Sequence, residues 1–264
     1  MEKRRSGYII LILLCLVLVV AAAALSGVGK GGKTAPPTQT AQAAVTQPAV
    51  EATPVPTPSA TPPVYPDLTE KAAAADDSFS DTVFVGNSLV DGLYLYGGLT
   101  GCRWLSGTGV SLYNVAKQTI SDKVGGECTV TQGLSAKQYG RVYLELGINE
   151  IGMSVADFTK AYGAFIDSVR ALQPDAQIYV LSLTPVSAKK SADGGYFTKE
   201  NVQAFNTTLH QLCADKSCWY MDCFTPLADG DGYLPDSATS DGIHFKPSYY
   251  AKWMDVIRTH YAEN

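Results

Sequence analysis

Thr82-Val83-Phe84-Val85-Gly86-Asn87-Ser88-Leu89-Val90 is an apolar run that halts on a glycine, an amide and a hydroxyl, then turns apolar again. Four β-branched and aromatic residues closed by such a stop read as a short buried strand. Ser88, opening the next apolar segment, reads as the first turn of a helix. Working outward, the same alternation recurs. Strand-like runs lie at Cys102–Leu105, Arg141–Leu146, Gln177–Leu183 and Trp219–Asp222. Between them Val155, Phe158, Tyr162, Phe165, Ile166 and Val169 recur at three- and four-residue spacing, and Pro174 follows. That spacing puts one apolar stripe on a helix. A second helix is expected from Lys199 to Ala214, with Val202, Phe205, Leu209 and Leu212 on one face, and a third from Pro247 to His260.

Strands alternating with helices imply a parallel sheet of about five strands covered on both faces, a three-layer α/β/α sandwich. In such folds reactive groups collect where strands end at their carboxyl side. The segments to watch are therefore Gly86-Asn87-Ser88, Gly147-Ile148-Asn149-Glu150 and the loops after Leu183 and Asp222.

Four short blocks resemble a known family. Gly86-Asn87-Ser88-Leu89 leaves one strand and Gly147-Ile148-Asn149-Glu150 leaves a later one. Gly109 sits in Gly107-Thr108-Gly109-Val110, and Asp241-Gly242-Ile243-His244 places an Asp three residues before a His. In this order they are similar to the blocks of the SGNH (GDSL-like) hydrolases, over Thr82 to Tyr261. The resemblance implies a flavodoxin-like α/β fold and an esterase working through an acyl-serine, with Ser88, Asp241 and His244 as catalytic triad. It implies an oxyanion hole from the Ser88 N–H, the Gly109 N–H and the Asn149 amide. Two positions depart from the family's pattern: its Gly-Asp-Ser is here Gly-Asn-Ser, and its Asn-Asp is here Asn-Glu.

The residue types suit that chemistry on their own terms. A serine hydroxyl is a weak nucleophile until a base takes its proton. A histidine, titrating near 6.5 in the absence of perturbation, can be base and then acid at neutral pH. An aspartate beside it fixes the tautomer and stabilises the imidazolium. The first N–H groups of a helix lack intrahelical partners and point at any anion that forms there. Each residue taken singly has a plainer reading: Ser88 as a helix cap, Asn149 as a turn residue, Asp241-Gly242 as a simple turn. The set in order favours catalysis.

Other features carry less. His210 and His260 have no Asp three residues before them and read as surface or packing residues. Asp229-Gly230-Asp231-Gly232 lacks the downstream ligands of a calcium loop and reads as a tight turn. Asn206-Thr207-Thr208 fits a glycosylation acceptor but falls within an expected helix. Tyr94, Tyr96, Trp104 and Tyr113 flank the first two blocks and either line a cleft or belong to the core. No metal site and no cofactor is expected.

The start of the chain bears on compartment. Glu2-Lys3-Arg4-Arg5 precedes an uncharged run from Tyr8 to Ser26, longer than a usual signal-peptide core and close to a membrane span. Residues 1–27 are read as a cytoplasmic basic start and membrane anchor, with a cleaved signal peptide as alternative; the basic flank puts the rest outside. Residues 28–65, rich in Pro, Thr and Ala, read as a linker that cannot bury a core. The hydrolase domain is residues 66–264. Cys102, Cys128, Cys213, Cys218 and Cys223 are an odd number, so at least one stays unpaired. Cys213 and Cys218 could bridge a helix end to the next strand or be small buried residues. The net charge of −5 comes without a basic stripe, which argues against a nucleic-acid partner. The expected function is an extracytoplasmic esterase acting on an acylated small molecule or glycan. The alternatives are an acyltransferase on surface glycans and a silent glycan- or wall-binding domain.

Overall fold

The computed structural model describes residues 67–263. The expected anchor and linker lie outside the described residues, and among those described no helix is long and apolar enough to cross a membrane. β1 (Thr82–Gly86) passes through Asn87 into α1 (Ser88–Tyr96), and β2 (Arg103–Ser106) follows. A small antiparallel hairpin, β3 (Ile120–Ser121) with β4 (Glu127–Cys128), leads into α2 (Val130–Ser135) and β5 (Arg141–Glu145). Then come α3 (Val155–Leu172), β6 (Gln177–Leu181), α4 (Ala188–Ala192), α5 (Lys199–Lys216), β7 (Trp219–Met221) and α6 (Pro247–Thr259). The principal strands fall within a residue or two of their expected places. The two-stranded hairpin and α2 were not foreseen, being too short to show a period.

The main sheet has the order β2-β1-β5-β6-β7 with every neighbour parallel. The chain steps from β1 to β2 on one side, then crosses to β5 and continues outward. The order reverses at β1, so the exits of β1 and β5 flank a topological switch point, where such sheets bind ligands. β1 is buried along its whole length, as a central strand of a covered sheet should be.

The two faces are packed differently. On one face Trp104, Phe84, Tyr143 and Tyr179 stack across four strands, with successive ring centroids 4.4, 4.7 and 4.5 Å apart. The in-register pairing of these residues brings the rings together. Trp104, 3 % exposed, is therefore core and not cleft lining. The paired α1 and α6 lie over one side of the sheet, and α3 and α5 pair with each other. Gly92 lets α1 approach α6 closely, since a Cβ there would collide with the Tyr250 ring.

Among the described residues all five cysteines are free. Cys213 and Cys218 are neighbours for a backbone reason: Ser217 is left-handed, and Cys218 N–H donates to Cys213 O at 2.9 Å. This is a Schellman ending, which brings those two side chains together without a covalent bond. The domain's start is strapped to its end. Lys71 and Ala74 N–H donate to Thr259 O and Arg258 O at 2.8 Å, and Arg258 pairs with Asp76 at 2.8 Å.

Candidate active site

Asn87 caps α1 by accepting from Leu89 N–H at 2.8 Å, which sets Ser88 at the first turn with its side chain at the surface of the switch point. Gly86 before it cannot be replaced without movement. A Cβ there would lie 2.7 Å from Glu145 O and against Val90, so the turn forms only with glycine.

Ser88 Oγ lies 2.8 Å from His244 Nε2, and His244 Nδ1 lies 2.7 Å from Asp241 Oδ2. The loop that brings His244 156 residues along the chain to Ser88 is itself built from short bonds. Asp241 Oδ1 accepts from Ile243 and His244 N–H at 2.9 and 2.8 Å. Thr239 Oγ donates to His244 O at 2.7 Å and accepts from Gly242 N–H at 2.9 Å. Gly242, at φ +86°, makes the left-handed turn between acid and base. Ser187 N–H then donates to Gly242 O at 2.9 Å, fastening this loop to the segment after β6. Burial alone would raise the Asp241 carboxyl. The hydrogen bond and charge of His244, helped by the two backbone donors, outweigh it and hold Asp241 well below the usual carboxylate range.

Gly109 has φ +76° with open space where a Cβ would be, so conformation and not crowding calls for glycine. Asn149 stands on the 3₁₀ turn Ile148–Glu150 after β5, with Gly147 at φ +128° starting it. Asn149 Nδ2 donates to Val110 O at 2.8 Å, and Leu112 N–H donates to Glu150 Oε1 at 2.7 Å. The Gly109 loop and the Asn149 turn are thus tied by two bonds. An amide nitrogen carries two protons, so Asn149 keeps one for a ligand. The arrangement can take a proton from Ser88, return it to a leaving group, and meet a developing oxyanion with N–H donors.

His210 and His260 stay outside the site. His210 pairs with Asp67 at 2.8 Å on the surface, and His260 hydrogen-bonds within the last turn of α6. Asp229 Oδ1 accepts from Asp231 and Tyr233 N–H at 3.0 and 2.9 Å, the tight turn expected there. Asn206 is buried in α5 and clamps Leu183 through both its N–H and C=O, at 2.7 and 3.0 Å. It positions the segment after β6.

Of the four aromatics noted in the sequence, Tyr96 stacks on Tyr250 and Tyr94 tilts against Trp104 under Lys123. Tyr113 is 69 % exposed. Tyr196, not singled out beforehand, is 62 % exposed and its ring lies against Gly152, three residues beyond Asn149. An open pocket of about 400 Å³ between α4 and the Asp241 loop, lined by Lys189, Lys190, Asp193 and Asp236 among others, was also missed.

The model of the GDSL-like Lipase/Acylhydrolase family matches residues 84–252. The chain belongs to this family. It is, by that membership, a serine hydrolase of ester bonds. No curated protein matches the sequence. Solved structures share the acylhydrolase fold at low identity. A Streptococcus pneumonia protein assigned as a platelet activating factor matches at 20 % identity and TM-score 0.53, over 69 % of this chain and 88 % of that one. A protein from Slackia heliotrinireducens assigned as an SGNH hydrolase matches at 17 % and 0.51, over 67 % and 96 %. A GDSL-like lipase from Bacteroides thetaiotaomicron matches at 13 % and 0.50, over 69 % and 87 %. In the acylhydrolase domain of this chain, the blocks quoted from the sequence converge on one end of the sheet.

Proposed function

We propose that this domain removes acyl groups from carbohydrate outside the cytoplasm, with Ser88 as nucleophile, His244 as general base and acid, and Asp241 as its orienting partner. His244 Nε2 takes the Ser88 proton as Oγ attacks the ester carbonyl. The tetrahedral oxyanion is met by the N–H groups of Ser88 and Gly109 and by the Asn149 amide. Collapse expels the alcohol, which receives the proton from His244, and leaves an acyl-serine. Water repeats the sequence, releasing the acid and restoring Ser88. The observation that carries this reading is the unbroken chain from Ser88 Oγ through His244 to Asp241, at 2.8 and 2.7 Å.

Support for a carbohydrate comes from the rim. Tyr113 and Tyr196 are flat, exposed and amphipathic beside the oxyanion segments, and the adjoining pocket is edged by lysines and aspartates. A rim of that kind suits a hydroxyl-rich leaving group better than a long alkyl chain. Support for the location comes from the basic start, the apolar run Tyr8–Ser26 and the Pro-rich stretch after it.

The test is hydrolysis of p-nitrophenyl acetate, butyrate and octanoate beside Ser88→Ala, followed by release of acetate from an acetylated polysaccharide. Short esters should be cleaved and the variant should lose about 10⁴-fold or more in rate. Preference for octanoate would remove the carbohydrate reading while leaving the esterase. Equal inertness of both proteins with retained glycan binding would favour a silent binding domain. Protease accessibility of the full chain in intact cells checks the location.

A further inference from the structure

Glu145 is the last residue of β5, level with Gly86 in the ladder, and only 1 % exposed. Neither carboxyl oxygen meets a hydrogen-bond partner in good geometry among the described residues. Asn87 Nδ2, the donor set against it, is likewise buried without a partner in good geometry, while Asn87 Oδ1 accepts Leu89 N–H. Beyond it stands the buried Glu150, whose Oε1 accepts Leu112 N–H while its Oε2 has no partner. The other titratable groups on which a Glu145 charge would act are Tyr162 of α3, Cys223 beyond β7 and Tyr250 of α6. None is a cation. Charge at Glu145 would therefore be dry and uncompensated.

Two of these positions are where the sequence departs from the family's pattern. An aspartate at position 87 would set carboxyl oxygens against carboxyl oxygens. Asn87 instead offers N–H to Glu145, and a neutral Glu145 has one O–H to give to the unpartnered Glu150 Oε2. Asn87 is bonded to the Ser88 turn at Leu89 N–H and Glu150 to the oxyanion loop at Leu112 N–H, and Glu145 is the buried group that interacts with both. Burial first, then the Glu150 charge, push the Glu145 carboxyl up to about 8 against the opposing Asn87 amide. Burial raises Glu150 as well, against the backbone N–H groups around it.

We propose that Glu145 is a positioning residue held as a neutral acid, aligning the Asn87 turn beneath Ser88, and that its ionisation in alkaline solution shuts the site down. This rests on Ser88 being the nucleophile. A negative charge under the turn opposes the oxyanion forming above it and pulls Asn87 toward itself. The native state also binds a proton there that the unfolded chain releases above about 4.5, so folding stability from this group falls as pH rises from there to about 8.

The experiment compares the wild-type chain with Glu145→Gln, which keeps the shape and neutrality of the acid. Ester hydrolysis and Ser88 labelling by a fluorophosphonate are followed from pH 6 to 10, and Tm from pH 5 to 9. Wild-type kcat and labelling should fall about tenfold between pH 7 and 9, from an ionisation near 8. The variant should stay within about twofold over that range, with KM unchanged in both. Wild-type Tm should decline with pH more steeply than that of the variant. The same alkaline fall in both proteins overturns the link to Ser88, and the same Tm slope overturns the neutral acid. A chain inert to both reagents breaks the nucleophile reading, and with it the link, while Tm still decides the protonation. If Glu145→Gln does not fold, Glu150→Gln should move the alkaline fall to lower pH by removing the neighbouring charge; an unmoved fall overturns the pairing.

Discussion

Asp241 sits on an irregular loop, its side chain 40 % exposed, with His244 and two backbone N–H groups on its oxygens. Glu145 ends a strand at 1 % exposed, facing an amide, a second carboxyl and aromatic rings. Both belong to the same site, and the fold treats them in opposite ways. Donors at Asp241 outweigh its burial and keep it ionised, whereas burial at Glu145 wins and keeps it protonated. Residue type did not assign these states. Their surroundings did: burial beside a second carboxyl at Glu145, and the His244 hydrogen bond and charge with two backbone N–H groups at Asp241.

The contrast can be broken from either end. Asp241→Asn should cost most, about 10³–10⁴-fold in kcat, because His244 loses both its tautomer control and its counter-charge. Steady-state kinetics on the short ester checks it. A loss under tenfold would mean that Thr239 and the backbone of the loop suffice to orient His244. The same substitution reads the pH linkage: stability from Asp241 is present above its unfolded value near 3.8 and lost in acid below it, opposite to the sign at Glu145. Acid unfolding of the variant should lose that dependence.

Next in size is Asn149→Ala, expected to lower kcat by about 10²–10³-fold. Because Asn149 also holds Val110 O, the Gly109 loop should loosen, which hydrogen exchange at residues 108–112 would register. The smallest effect belongs to Gly109→Ala. With nothing within 4 Å of the new Cβ, only the positive φ opposes it, so the cost should be about 1–2 kcal/mol in thermal unfolding. A larger loss would mean the Glu150 tie to Leu112 leaves this loop no room to relax.

Much of this was legible in the sequence, for identifiable reasons. Phe84, Tyr143 and Tyr179 lie in short β-branched and aromatic runs, and buried parallel strands have such a signature. Ser88 and Asn149 were legible because each stands just past the end of a strand, and Asp241 and His244 because an Asp lies three residues before a His. What escaped depends on contacts between distant segments. Trp104 was open between cleft and core until its register with Phe84 placed it in the ring stack. Asn206 matched a surface motif, yet it is buried and clamps Leu183. Tyr196 comes to Gly152 only through the path of the segment after β6. Glu145 did leave a trace, a carboxylate at the buried end of a strand whose other charge, Arg141, lies at the opposite end, which is costly without a purpose.

The strap between the two ends of the described chain fixes a direction. His244 precedes α6, while Lys71 and Ala74 are bonded beyond its other end, at Thr259 and Arg258. Thirteen residues of helix separate the two, about 20 Å at 1.5 Å per residue. The first described residues thus lie against the end of α6 remote from His244. Neither end can fray alone, because each supplies the other's partners, so the first and last turns of the described domain should exchange their amide protons together.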